Sequence, residues 1–217
     1  MRAVIFANGE ISDLERLKAI LRKDDFLIAA DGGGRYLQRL GLVPALLLGD
    51  LDSISKPMQE VFQGQGTKIQ QFPAKKDDTD LEIAVRSAIE NGCDEILVCA
   101  ALGGRFDHSL ANLAILRRKY SKAVQVHFDD GEVEVRLIRN EARICGQSGD
   151  LVSLIPCSAR VSGVETSGLL YPLKKETLYA SRARGVSNVM SGEEAFVRVS
   201  SGELLCVHTR NFGKDAK

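Results

Sequence analysis

Short apolar runs alternate with amphipathic helical segments from residue 3 to residue 128, and then the alternation stops. This constrains the fold more than any other feature. Parallel strands need long crossover connections, usually helices, so repeated strand–helix units specify a mostly parallel sheet with helices on both faces. The strand-like runs are 3–7, 26–30, 45–48, 67–72, 95–101 and 123–128. Helical patterns cover 13–21 with Ser12 as N-cap, 35–40 ending at Gly41, 81–90 with Thr79 or Asp78 as cap, and 107–119. Beyond residue 128, segment 132–139 alternates charged and apolar residues with period two. Further short strands are expected at 150–156, 159–164, 195–199 and 203–209, with glycines between them and no helix. That pattern predicts a small antiparallel β-sandwich. Ser200-Ser201-Gly202-Glu203 reads as a hairpin turn. The expected fold is therefore α/β: an N-terminal mostly parallel sheet with helices on both faces over 1–128, plus a C-terminal antiparallel β-sandwich over 129–217. The polar tail 211–217 is expected to fray.

Three acidic clusters fall where apolar runs end: Gly49-Asp50-Leu51-Asp52-Ser53, Lys76-Asp77-Asp78-Thr79-Asp80 and Gly103-Gly104-Arg105-Phe106-Asp107-His108. In open α/β sheets, ligands bind outside the strand ends. Carboxylates gathered there with Arg and Lys suit a divalent cation and a polyphosphate. Asp50 and Asp52 are two apart, so an extended chain points both the same way. They either share a cation or belong to a solvated loop with a capping residue. Asp77, Asp78 and Asp80 either cap the next helix or turn one carboxylate inward as ligand or base. Gly103 and Gly104 let the backbone approach a phosphate at a helix start, where Arg105 can fork onto its oxygens. Asn112 lies four past His108 on the same helix face. Asp31-Gly32-Gly33-Gly34 is another strand-end turn, without dinucleotide-site spacing. Asp31 there could bind a ribose, join a metal site or cap a helix. His127 and His208 fall in strand patterns and read as structural.

The formal net charge is zero, which argues against a nucleic-acid partner. No apolar run reaches membrane-spanning length, and the N-terminal run is too short for a signal peptide. The five cysteines are odd in number and form no Cys-x-x-Cys pair, as expected of reduced thiols in a cytoplasmic protein.

In order and spacing, Ala30-Asp31-Gly32-Gly33, Gly49 to Ser53, Lys76 to Glu82, Gly103 to His108 with Asn112, Gly168-Leu169-Leu170-Tyr171-Pro172-Leu173 and Gly185-Val186-Ser187-Asn188 resemble the thiamine pyrophosphokinase family over nearly the whole chain. The resemblance implies transfer of the pyrophosphoryl group of ATP to the thiamine hydroxyl, giving thiamine diphosphate and AMP, with Mg²⁺. It also implies a homodimer whose thiamine sites combine one subunit's aspartates with the partner's sandwich loops. Carried onto this chain, it makes Asp50, Asp52 and Asp80 the metal and hydroxyl cluster, with Asp52 or Asp80 taking the proton. Arg105 and Lys76 would meet the triphosphate, while Asp31, Asp107, His108 and Asn112 line the nucleotide pocket. Tyr171 would stack on the thiamine cation, with Ser187 and Asn188 at its pyrimidine. Some family members carry Trp where this chain has Tyr171, and this chain has no Trp. Arg182 and Arg184 read only as a basic solvated loop. Three alternatives remain at this stage: a pyrophosphokinase for another alcohol such as a hydroxymethyl-pterin, a phosphohydrolase with Asp50 as nucleophile, and an ATP sensor without turnover.

Overall fold

The computed structural model describes residues 1–121 and 123–210, which form two compact units, Met1–Gly131 and a second that begins at Glu132. The tail expected to fray lies outside the described residues.

In the first unit the strands are β1 (Arg2–Phe6), β2 (Phe26–Ala30), β3 (Leu46–Gly49), β4 (Lys68–Gln71), β5 (Glu95–Cys99) and β6 (Gln125–Asp129). All their pairings are parallel, in the order β4-β3-β2-β1-β5-β6. The chain winds outward from β1 to β4, then returns to the other side of β1 with β5. That reversal opens a crevice at the carboxyl ends of β1 and β5. Helices α1 (Leu14–Ile20), α2 (Gly34–Leu40) and α3 (Lys56–Gly64) bury Leu17, Leu37 and Phe62 in one cluster with Val4, Phe6, Ala29, Leu47 and Leu97. Alternation sends Ala3, Ile5, Ile28 and Leu48, all at most 0 % exposed, to the other face. Helix α4 (Asp80–Glu90) crosses β1, β2 and β3 and contributes nothing to the first cluster. Helix α5 (Phe106–Arg117) follows β5.

Several helix boundaries differ from the sequence reading. The cap of α1 is Asp13, whose carboxylate accepts the Arg16 N–H, while Ser12 donates to Asp130 instead. The longer carboxylate is placed to cap, and the Asp13 N–H is held by the Asp130 carbonyl at 3.1 Å. At α4 the cap is Thr79, in a reciprocal box with Glu82, and Asp78 pairs with Arg86. The sequence reading gave no helix over α3, whose Pro57 sits in the first turn.

The second unit carries β7 (Val133–Ile138), β8 (Glu141–Cys145), β9 (Leu151–Pro156), β10 (Arg160–Ser167), β11 (Glu176–Tyr179), β12 (Asn188–Val189), β13 (Glu194–Arg198) and β14 (Leu204–Thr209). Their pairings are all antiparallel, in the runs β12-β9-β14-β7 and β11-β10-β13-β8. Ile138, Val152, Leu154, Leu204 and Cys206 from one sheet pack with Ile144, Val161, Leu178 and Val197 from the other, as a sandwich requires. Residues 200–203 are not a hairpin turn. The flanking strands already have partners on both sides, β13 with β8 and β10, and β14 with β7 and β9, so the segment passes from one sheet to the other. On the way it bonds to the irregular middle of β10, where Ser162 pairs with Ser201.

His208, expected to be structural, is 1 % exposed on the inner face of β14. Its Nε2 lies 3.0 Å from Asp150 Oδ2, and Glu134 lies 3.8 Å from its Nδ1. Burial, with help from Arg210 and Arg136, holds the imidazole below its ordinary 6.5, against the opposing pull of Asp150. A depressed folded value means the unfolded chain takes up the proton first. The stability His208 contributes is therefore present above 6.5 and is lost as pH falls toward the folded value. We expect urea unfolding to show stability falling between about pH 7 and pH 5, with a shallower fall in His208→Gln. Parallel pH profiles for the two proteins would show that this imidazole does not set the slope.

Candidate functional site

The site is built from strand ends. Strand β2 runs into Asp31, which opens a single 3-10 turn and has φ 49°. Strand β3 ends at Gly49 and continues as Asp50-Leu51-Asp52, where Leu51 is buried and has φ 66°. With Leu51 turned inward, the flanking carboxylates meet outside. Oxygens of Asp31, Asp50 and Asp52 lie within 4.8 Å of one another. A Cβ on Gly49 would sit 3.1 Å from the Asp31 Cβ, and its φ of 141° is one that side chains rarely adopt. Glycine therefore lets the two strand ends meet. Non-glycine residues at positive φ are uncommon and cost energy, and Asp31, Leu51 and Ala100 carry that strain at the ends of β2, β3 and β5.

Within the trio, Asp52 accepts the Ser53 hydroxyl at 3.0 Å, and Asp50 accepts the Asp52 N–H at 3.2 Å. Asp31 Oδ1 is buried and has no hydrogen-bond partner. Burial first, then the charges of Asp50 and Asp52, push the Asp31 carboxyl upward, against hydrogen bonds from Ser53 and the Gly32 N–H. The geometry gives the Ser53 hydroxyl to Asp52, so we take burial and neighbouring charge as the causes that matter. Three carboxylates at this spacing repel unless a cation sits among them. An all-oxygen donor set with one oxygen lacking a partner fits a hard divalent cation.

Asp80 stands elsewhere, in the first turn of α4, outside the carboxylate trio found among the described residues. Its Oδ1 lies 2.8 Å from Lys76 Nζ, an ion pair set off the hydrogen-bond direction, which is why that oxygen makes no hydrogen bond. The Lys76 side chain is only 14 % exposed.

The crevice between β1 and β5 is lined by glycine turns. Gly9 donates to the Ala100 carbonyl at 2.8 Å, and a Cβ on Gly9 would lie 2.3 Å from the Leu102 carbonyl oxygen. Gly103 and Gly104, at φ 85° and 64°, lead into α5. The residue before that helix, Arg105, makes no side-chain cap, so the N–H groups of the first turn remain available to an anion. Arg105 instead forks onto Asp107, with both side chains well exposed, and this holds the Asp107 carboxyl below its usual range. His108 is exposed beside them. Asn112 donates to the Ala101 carbonyl at 2.6 Å, which ties α5 to the loop leaving β5. Sequence reading missed Asn8 and Arg35. Asn8 is the second residue beyond β1, close to the strand end as Asp31 is to the end of β2.

In the second unit Tyr171 is 69 % exposed at a cavity of about 430 Å³ whose walls include Leu170, Arg184, Val186 and Asn188. The Asn188 amide is spent on the Tyr171 backbone: its Oδ1 accepts the Tyr171 N–H at 3.1 Å, and its Nδ2 donates to the Tyr171 carbonyl at 2.7 Å. Ser187 is exposed at φ 57°, and its N–H donates to Ser153. Arg184 pairs with Glu176, and Arg182 lies 5.7 Å from the Tyr179 ring.

A parallel-sheet unit with carboxylates at its strand ends, in a chain that also carries an antiparallel sandwich, defines a narrow class of α/β proteins. Residues 17–128 match the model of the thiamin pyrophosphokinase catalytic domain, and residues 132–205 match that of its vitamin B1 binding domain. The chain belongs to the thiamin pyrophosphokinase family, a family of enzymes. A thiamine pyrophosphokinase of Bacillus subtilis is 24% identical over 94% of this chain and 97% of its own. Thiamine pyrophosphokinase 1 of Oryza sativa is 30% identical over 77% of this chain and 66% of its own. The crystal structure of the Bacillus subtilis protein has the same fold, with a TM-score of 0.85 at 22% identity, over 98% of this chain and all of that one. Among the described residues no helix is long and apolar enough to cross a membrane.

If the carboxylate trio is a cation site, its repulsion costs stability while it is empty. We expect Asp31→Asn to melt higher than the wild type in EDTA and to lose most of the rise that Mg²⁺ gives the wild type. An undiminished Mg²⁺ shift in differential scanning fluorimetry would place the cation elsewhere.

Proposed function

We propose that this chain transfers the pyrophosphoryl group of ATP to the hydroxyl of thiamine, giving thiamine diphosphate and AMP. The observation that carries the reading is the convergence of Asp31, Asp50 and Asp52 in the segment that matches the catalytic-domain model. These three would hold Mg²⁺, the buried Asp31 oxygen among its ligands. When bound, Mg²⁺ would offset negative charge on the phosphoryl oxygens.

The remaining steps belong to side chains. The first-turn N–H groups of α5, with Gly103 and Gly104, receive phosphate oxygens, and Arg105 swings from Asp107 onto them. His108 and Asp107 flank the nucleotide, and Asn112 keeps the loop in shape. Lys76 adds a cation on the phosphate path, and Asp80 orients its ammonium group. Tyr171 offers its ring to the thiazolium, and Asn188 fixes the backbone that carries the ring. Ser187 offers hydrogen bonds to the pyrimidine. The hydroxyl then attacks the β-phosphorus, its proton passes to a carboxylate, and AMP leaves. We expect AMP and thiamine diphosphate to form one-for-one from ATP, Mg²⁺ and thiamine, with a hydroxymethyl-pterin a poor acceptor. Asp50→Asn should lower kcat/KM by a hundredfold or more, on the order of the loss when one transition-state contact is removed. Phosphate release without thiamine would instead favour a hydrolase.

The reading includes a cytoplasmic homodimer with thiamine sites shared between subunits, as the family resemblance implies. The buried thiols of Cys93, Cys99 and Cys206 suit a reducing compartment. Mixing inactive Asp52→Asn with inactive Tyr171→Ala subunits should restore activity, because one intact site re-forms. Proven heterodimers without activity would rule out the shared site.

A further inference from the structure

Gly32 and Gly33, the first two of the three glycines after Asp31, bring the start of α2 hard against the end of β1. A Cβ on Gly33 would lie 1.8 Å from the Phe6 carbonyl oxygen, and one on Gly32 would lie 2.3 Å from Asn8 Oδ1. This approach places Arg35, in the first turn of α2, over Asn8. The guanidinium Nη1 donates to Asn8 Oδ1, and Nη2 donates to the Gly9 carbonyl at 2.8 Å and the Asn8 carbonyl at 3.2 Å. The neighbouring Tyr36 hydroxyl donates to the same Gly9 carbonyl at 2.7 Å, and its ring lies 4.6 Å below the Arg35 guanidinium. The turn Asn8-Gly9 is thus clamped from two adjacent residues of one helix.

The clamp has a chemical consequence. A guanidinium has only donors, so the Asn8 atom facing it must be the carbonyl oxygen. The amide nitrogen is then fixed on the other side, where it lies 3.5 Å from Asp31 Oδ2, at the long limit of a hydrogen bond. Asp31 meanwhile keeps its other oxygen, Oδ1, buried and without a partner.

We infer that Arg35 is a positioning residue for the carboxylate site: it locks the Asn8 amide with its N–H₂ toward Asp31 and so decides which Asp31 oxygen is left for a cation. This rests on the proposed metal-dependent function, and its test reads metal binding without turnover. Mn²⁺ would be titrated into the purified protein without nucleotide, and free Mn²⁺ followed by electron paramagnetic resonance. Asn8→Ala and Arg35→Met should each weaken binding about tenfold or more, the usual cost of losing a partner that orients a metal ligand. The double variant should be no worse than the weaker single one, because Arg35 acts through Asn8. Arg35→Lys, which keeps the charge without the fork, should behave like Arg35→Met. Circular dichroism melts establish that each variant folds, and Arg35→Gln replaces Arg35→Met if the latter does not. Losses that multiply in the double variant, or singles that bind Mn²⁺ like the wild type, would overturn the inference alone. A wild-type protein that makes thiamine diphosphate but binds no Mn²⁺ would remove the assigned metal ligands and the inference with them. One that does neither would remove the functional reading as well.

Discussion

Three like charges held within 4.8 Å at the ends of β2 and β3 are a standing electrostatic cost, and much of the first unit is arranged to bear it. The strands behind the trio are rigid because they are buried on both faces: Ile28, Ala29, Leu47 and Leu48 are fully enclosed. Parallel pairing aligns every carboxyl end on one side of the sheet, so the acidic residues that follow β2 and β3 converge without further design. Gly49 removes the one side chain that would keep the two ends apart. Left-handed backbone at Asp31 and Leu51 then aims the carboxylates, strain that only a well-packed sheet can hold.

The same logic explains what the sequence made legible. The spacing of Asp50 and Asp52 allowed a shared cation or a solvated capping loop, and it assumed an extended chain where the fold has Leu51 left-handed and buried. Strand–helix alternation identified the parallel sheet, and period-two patterning identified the sandwich. The place of Asp31 in the trio was one of three open readings, since a glycine turn after a strand serves a ribose, a metal or a helix equally well. Asp80 shows the limit of reading by motif. Its neighbours in sequence are acidic, but the bend leading into α4 brings Lys76 to it, and the two pair at 2.8 Å. Asn8 and Arg35 were invisible for another reason: they are single residues 27 apart, joined only when glycines let α2 touch the end of β1.

Two errors in the second unit have different causes. Local turn chemistry cannot tell a hairpin from a passage between sheets, because both need a Gly in a left-handed turn. Residues 200–203 satisfy the turn rules, yet β13 and β14 find partners far away in sequence. β8 was unmarked because Glu141 and Arg143 interrupt its apolar content; on the outward side these residues pair across the sheet with Arg198 and Glu194.

Charge separates the tasks of the two units under the proposed function. The first unit offers carboxylates for a cation and helix-start N–H groups for phosphates, the two charge types a metal–polyphosphate brings. The cavity of the second unit meets a different demand, because thiamine is itself a cation and an unopposed arginine in the wall would repel it. Arg184 is in that wall, and its charge is offset by Glu176 on β11. What remains for the ligand is mostly apolar surface and the exposed Tyr171 ring, whose negative face favours a cation at little desolvation cost. Asn188 gives that ring a fixed base by accepting the Tyr171 N–H and donating to the Tyr171 carbonyl, while its Oδ1 also accepts the Val189 N–H. With no Trp in the chain, the Tyr171 ring is the aromatic face this cavity presents, and a backbone fixed in advance leaves less order to be lost when the ligand arrives.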